Sequence, residues 1–232
     1  MYGLIALVLV KLDQGELAWL AADRGMAVAV ATNDPQVAAV ATVPLSQALR
    51  AGGRRRSAME TAVIAARRIM PANPGCDSLA GTLLVQAALA ATGRGEQRCV
   101  LELLDQAAEI AGKIGVGSEG FNPASVEAAR VVAEADLGDV AAATVRHERL
   151  VAGDQWRWLP PEHRAAYLLD VARAYALAGD LLRAGRTLLG AERTARSEVH
   201  DRPAVRDLIA VVARSAAAPA GLAQLAATLH VA

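Results

Sequence analysis

The sequence predicts an all-α protein built from consecutive helix pairs, and three observations carry that prediction. The chain is 54% hydrophobic but only 3% aromatic, so its core is made of Ala, Leu and Val. Alanine is the best helix former, and its small side chain suits helices that approach closely. Second, apolar residues recur at helical spacing on both sides of short turns. This is clearest from Tyr167 to Arg196, where Leu168, Val171, Ala172 and Tyr175 precede an Ala-Gly-Asp break and Ala184, Leu188 and Ala191 follow it. Third, a small residue returns at a fixed interval: Ala18, Ala58, Val100, Ala143 and Ala184 are separated by 40, 42, 43 and 41 residues. Each stands four residues after a polar one (Gln14, Arg54, Glu96, Asp139, Asp180), and a Gly adjoins that residue in every turn.

The order of small and large residues matches the tetratricopeptide pattern, in which small side chains let two antiparallel helices pack closely and larger ones fill the space between pairs. A unit of about 34 residues plus a short connection accounts for the interval. The expectation is one domain over 1–232 forming a right-handed superhelix of about five repeats, at approximately 1–32, 35–70, 78–112, 123–151 and 161–196, closed by a capping helix pair at 203–230.

Taken in order, the first repeat opens with the apolar run MYGLIALVLVKL. No positive charge precedes this run and no cleavage site follows it, and at about nine apolar residues it is too short to span a bilayer, so it reads as a helix of the array. Asn33-Asp34-Pro35 supplies a cap and a first-turn proline for the second repeat. Pro44 falls within the first helix of that repeat, where a missing backbone donor predicts a kink or a division. The run PANPGCD over 71–77 reads as a loop, with Asp77 or Ser78 capping the third repeat. A connection from Gly112 to Pro123 leads to the fourth repeat, in which Glu127, Arg130 and His147 occupy positions normally apolar or small. Pro161-Glu162 opens the fifth. Pro203 and Pro219 each start a terminal helix, the first running to about Ala216 and the second to His230.

Composition excludes several functions. Lys+Arg and Asp+Glu number 24 each, so no global basic field is present to hold nucleic acid, and direct nucleic-acid binding by this chain alone is not expected. Cys76 and Cys99 have no zinc or redox spacing and read as reduced thiols of a cytoplasmic protein. No membrane association is expected.

No constellation points to catalysis, a cofactor or a metal. Gly115 to Gly120 match G-x-G-x-x-G, but that fingerprint needs a preceding strand and a βαβ unit, so a loop between repeats is the expectation. Arg54-Arg55-Arg56 reads either as a solvated turn or as a contact for phosphate or an acidic partner. His147-Glu148 begins like a zincin motif, yet Val151 stands where the second His belongs. Glu127 and Glu134 share a helix face with Arg130 between them, which predicts an ion-pair ladder rather than an acid/base pair.

Binding is therefore assigned to surfaces. The first helices of stacked pairs line the concave side, and the repeat phase places Gln47, Arg50, Thr82, Val85, Leu89, Ser125, Val132, Leu169 and Arg173 there. A mostly apolar lining with a few polar groups suits a peptide, a small molecule or a partner protein, with Arg50 and Arg173 as candidates to grip a carboxylate. The alternative is that the array's own terminal helices fill this groove. Trp156, Arg157 and Trp158 form the one aromatic cluster, and they either anchor a contact on the outer surface, including one between two copies of the chain, or pack onto the neighbouring repeat. An enzyme on a helical solenoid is the remaining alternative.

Several segments together resemble a known family. GELAWLAADRG (15–25), LSQALRAGG (45–53), GTLLVQAALAATGRGE (81–96), LELLDQAAEIA (101–111), FNPASV (121–126), ADLGD (135–139), PEHRAAYLLDVARAYALAGD (161–180) and LLGAERTARSEVHDRPAVRDLIA (188–210) look like the tetratricopeptide-like C-terminal half of actinobacterial helix-turn-helix regulators of the Cro/repressor-like (XRE) type. The last two segments are the most specific. The resemblance implies a helical array that senses a ligand or partner and serves transcriptional regulation. It also implies an N-terminal DNA-binding domain, and no such module precedes the array in this sequence. Pro44, Val100 and FNPASV depart from the family pattern, so ligand specificity does not carry over.

Overall fold

The computed structural model describes residues 1–70, 74–114 and 120–231, and among them it contains thirteen α-helices, two 3₁₀ turns and no strand. The helices come in pairs: α1 (Tyr2–Lys11) with α2 (Gly15–Val30), α3 (Pro35–Ala51) with α4 (Arg55–Ile69), and α5 (Asp77–Thr92) with α6 (Gln97–Ile114). Then follow in sequence α7 (Pro123–Asp136) and α8 (Val140–Ala152), and the pair α9 (Pro161–Leu177) with α10 (Leu181–Thr194). Three shorter helices close the chain, α11 (Arg196–His200), α12 (Pro203–Ala213) and α13 (Ala220–Thr228).

One turn geometry explains the regular spacing of the sequence. The residue before each polar marker is left-handed: Asp13 at φ 57°, Gly53 at 74°, Gly95 at 70°, Gly138 at 93° and Gly179 at 81°. Glycine reaches this region without the Cβ clash that other residues meet. The N–H groups of Gln14, Arg54, Asp139 and Asp180 then reach back to the carbonyls of Leu9, Leu49, Glu134 and Tyr175 at 2.8 to 2.9 Å, closing a Schellman motif on the first helix. The marker's own carbonyl starts the second helix, accepting from the N–H of Ala18, Ala58, Val100, Ala143 or Ala184 at 2.8 to 3.1 Å. Asp139 and Asp180 add a side-chain cap, accepting from the Ala142 and Arg183 N–H groups at 3.0 and 2.9 Å. The first turn differs from expectation, since Asp13 and not Gly15 takes the left-handed position.

The described residues fall into two compact units, Met1–Ala133 and Glu134–Ala232. In the first, α1 packs on α2 and α3, α3 on α4 and α5, and α5 on α4 and α6, so successive first helices are neighbours. Small residues set the distances: Ala6, Ala18, Ala22 and Ala48 form one fully buried cluster flanked by Leu9, Trp19 and Leu45. Asp34 caps α3 as expected, accepting from the Gln36 N–H at 2.8 Å. Pro44 does not divide α3, which is continuous from Pro35 to Ala51. Its buried ring sits against Gly3 of α1, where a Cβ would lie 3.2 Å from Pro44 Cγ, so packing on the proline offsets the lost hydrogen bond. Asp77 and Ser78 do not cap α5. Cys76 holds the cap position after a 3₁₀ turn over Pro74–Cys76, with no side-chain hydrogen bond, and Asp77 lies in the first helical turn. Residues 71–73 of that run, and 115–119 of the G-x-G-x-x-G run, lie outside the described residues.

In the second unit α9 and α10 form the principal pair through Ala165, Ala172, Ala184, Leu188 and Ala191, all buried. Gly185 of α10 brings the cap close, because a Cβ there would stand 2.5 Å from the Pro219 ring. The terminal helices are α12 and α13, as the prolines indicate, preceded by a short α11 that the pattern does not signal. Extended backbone at Ala195 (φ −153°) breaks α10 from α11, and the buried Glu198 is paired with Arg202. Arg206 completes the seat of the cap, donating to the Leu229 carbonyl at 2.8 Å.

Candidate interaction surface

Burial along α5 leaves it one opening. Ala80, Leu83, Leu84, Ala87, Ala88, Ala90 and Ala91 are buried against α3, α4 and α6, while Ser78, Leu79, Thr82, Val85, Gln86 and Leu89 are not. The latter recur at i, i+1, i+4, i+7, i+8 and i+11 and form a single solvent-facing strip. It contains the expected Thr82, Val85 and Leu89. Thr82 Oγ1 donates to the Ser78 carbonyl at 2.8 Å, which leaves its lone pairs as acceptors. Gln86, not singled out by the repeat phase, is its most polar member. Its Oε1 is buried without a hydrogen-bond partner among the described residues. An acceptor in that state costs about 1–3 kcal/mol relative to a satisfied one.

The neighbouring α3 has its own strip, Val40, Val43, Gln47 and Arg50, at i, i+3, i+7 and i+10. Gln47 and Arg50 are half-buried, and Arg50 holds an interaction with its surroundings. On α7, Val132 is half-buried, but Ser125 is occupied by the helix start. Its N–H donates to Asn122 Oδ1 at 3.1 Å, its hydroxyl donates to the Asn122 carbonyl at 2.7 Å, and it accepts from the Asn122 N–H at 3.0 Å. This reciprocal cap is legible in Asn-Pro-Ala-Ser as a cap residue with a polar partner three positions on. In the second unit Leu169 is buried, and Arg173 is exposed with its guanidinium 3.0 Å from Asp170 of the same helix.

The aromatic run separates into two roles. It forms a 3₁₀ turn, Asp154–Trp158, in which Trp156 is half-buried with its ring edge-on to Tyr167 at 5.5 Å and with Arg164 over its face at 5.9 Å. Trp158 is 58% exposed and Arg157 is exposed. Tyr167 also takes up His147, whose Nδ1 lies 2.8 Å from the hydroxyl, and Tyr175 stands edge-on to the same imidazole at 6.3 Å. Burial of this ring lowers the His147 pKa below its ordinary value, partly countered by Glu148. His147 therefore belongs to the packing of α8 on α9 rather than to a metal site.

The other polar constellations are structural as well. Arg54 stacks over Trp19 at 4.4 Å with Glu16 at 3.6 Å, Arg55 lies across Gly93, and Arg56 pairs with Glu60 at 2.7 Å. Arg130 bridges Glu127 at 3.4 Å and Asp105 at 2.6 Å, whereas Glu134 pairs instead with Arg146 of α8 at 2.9 Å. Among the described residues no group of three or more His, Cys, Asp or Glu could hold a metal ion, and no helix is long and apolar enough to cross a membrane.

No family model and no curated protein matches the chain. Among solved structures, it is similar to the nearly identical TPR-like repeats of a candidate kinesin light chain from Podosopora anserina. A single-substitution variant of those repeats superposes with a TM-score of 0.52 at 20% identity, over 83% of this chain and 92% of that one. The unsubstituted form gives 0.49 at 21% identity, over 85% and 94%. The fold of this chain is thus an all-helical, TPR-like array of helix pairs.

Proposed function

We propose that the chain is a non-enzymatic interaction module that takes an apolar peptide segment of a partner protein along the α3 and α5 strips. The observation that carries this reading is the single opening of α5, an apolar strip of Leu79, Val85 and Leu89 with the Thr82 hydroxyl among them. Apolar walls supply affinity for such a segment, and the Thr82 hydroxyl, its proton already given to the Ser78 carbonyl, accepts a hydrogen bond from the partner and fixes its register. Arg50 supports a carboxylate at the end of the strip.

Panning a displayed peptide library against the chain tests it. Binders that lose affinity at least tenfold on Val85→Lys and on Thr82→Val, while tolerating Trp158→Ala, are the expected result; binders indifferent to both strip variants would remove the strip from consideration.

A second reading, a contact through Trp158 and Arg157, is favoured by the exposure of that indole, and loss of binding on Trp158→Ala alone would select it. The link to transcriptional regulation rests on the sequence resemblance, and the cytoplasmic location on the reading of Cys76 and Cys99 as reduced thiols. The link is tested by whether a helix-turn-helix protein co-purifies with the chain and is released by Val85→Lys.

A further inference from the structure

The solvent face of α4 differs in sign from those beside it. Ala58, Ala62, Ala66 and Ile69 are the buried side of this helix. What remains exposed is Arg56, Ser57, Glu60, Ile64, Arg67 and Arg68, spaced i, i+1, i+4, i+8, i+11 and i+12, which is one continuous stripe along the helix. It sets three arginines against one glutamate. The exposed face of α2 sets Glu16 and Asp23 against Arg24, and that of α6 sets Glu102, Asp105 and Glu109 against Arg98 and Lys113. Both are neighbours of α4: Arg54 lies over Trp19 of α2, and Cys99 Sγ of α6 lies 4.0 Å from Met59 Sδ. A positive stripe is thus flanked by two net-negative ones.

The charges of the stripe are unequally engaged. Arg56 pairs with Glu60 at 2.7 Å, which neutralises the first turns. Arg67 and Arg68 have no hydrogen bond or ion pair among the described residues. They stand at i+3 and i+4 from Ile64, on either side of it, and Ile64 is 64% exposed. The negative end of the helix dipole favours cations in this last turn. That accounts for their place in the helix but leaves both guanidinium groups and the isoleucine in water.

We propose that the last turns of α4 dock an acidic segment of a partner protein, its carboxylates gripped by Arg67 and Arg68 and an apolar side chain laid on Ile64. A guanidinium takes a carboxylate through two parallel hydrogen bonds, and arginine is enriched among the residues that anchor protein contacts. The width of the stripe selects among anions. A lipid surface or a nucleic-acid backbone spreads its charge over more than one helix and meets the carboxylates of α2 and α6 as well, whereas a single peptide segment is no wider than the stripe. This contact uses a different helix from the α5 strip and holds or fails independently of it.

Fluorescence anisotropy of the full chain with a labelled peptide of two leucines between pairs of glutamates tests this, at ~0.1 M salt so that only close charges count. The expected result is a dissociation constant below ~300 μM, weakened at least fivefold in Arg67→Glu/Arg68→Glu and at least threefold in Ile64→Ser, and unchanged in Thr82→Val of the α5 strip. Circular dichroism monitors helix content; if the charge reversal loses helicity, Arg67→Gln/Arg68→Gln replaces it, with at least threefold weakening expected. No binding at ~1 mM chain, or binding that survives the arginine substitutions, overturns the proposal. So does tighter retention on phosphatidylserine vesicles or duplex DNA than on the peptide, abolished by the same substitutions.

Discussion

The ring of Phe121 occupies the place where a side chain on Gly81 would be: a Cβ built on Gly81 stands 2.1 Å from Phe121 Cζ. A glycine inside α5 forgoes about 1 kcal/mol of helix propensity relative to alanine, and this contact is the return. Both residues are buried, so neither can move without opening the wall of the first unit. Gly81→Ala is expected to destabilise the chain by about 1–2 kcal/mol net, overpacking exceeding the propensity gain. Urea unfolding measures it. Combining Gly81→Ala with Phe121→Leu should cost less than the sum of the two single changes, a coupling that distinguishes the clash from a general weakness of α5.

His147 carries a pH dependence whose sign follows from its burial. Its native pKa lies below the ordinary value of 6.5, so the unfolded chain binds the proton more readily than the folded one. Its full contribution to stability is present above about pH 6.5 and is lost as the pH falls through the lowered native pKa. Thermal melts at steps from pH 8 to pH 5 should show a steeper fall for the wild type than for His147→Gln. Parallel curves would mean that the imidazole beside Tyr167 and Tyr175 titrates as if exposed.

The turn at Asp13 offers the converse experiment. It holds the left-handed conformation that glycine takes in the other four turns, and a non-glycine residue is strained there. Asp13→Gly should stabilise the first helix pair by about 0.5–1 kcal/mol, and Gly179→Ala should destabilise the fifth by about 1 kcal/mol. Hydrogen exchange localised to α1/α2 and to α9/α10 separates these from global effects.

Arg54 and Trp19 join the first two helix pairs by a cation–π contact at 4.4 Å, with Glu16 beside the guanidinium. Arg54→Ala should cost about 0.5–1 kcal/mol and Arg54→Met less, since Met retains the apolar stem over the indole. Equal losses in thermal denaturation would assign the effect to the guanidinium alone and none of it to packing of the stem.

Most of the helix-pair scaffold was legible because its signal is local. Each interval between Ala18, Ala58, Val100, Ala143 and Ala184 marks one second-helix hydrogen bond to a polar residue four positions earlier, and each preceding Gly or Asp marks one left-handed turn. The prolines announced α3, α12 and α13 for the same reason. What escaped depended on contacts between elements. Pro44 reads as a breaker until Gly3 is seen against it, and nothing in the sequence marks Gly81 as the seat of Phe121. The strip residues Thr82, Val85 and Leu89 followed from helical phase, whereas the unpartnered Gln86 oxygen did not, because its burial depends on contacts between elements. Ser125 and Trp156 carry the residue types of binding groups but are engaged in a cap and in an aromatic stack; the cap is legible in Asn-Pro-Ala-Ser, whereas only the position of Tyr167 reveals the stack.

The shared turn also governs how such a chain can change length. Since each junction is completed by hydrogen bonds within its own few residues, a whole helix pair can be duplicated or excised with every backbone group at the joint still matched. A single inserted residue, by contrast, rotates everything beyond it by about 100° and turns a buried alanine row toward water. Growth in this architecture is therefore quantised, and the number of places along the α3 and α5 type of strip rises or falls one helix pair at a time.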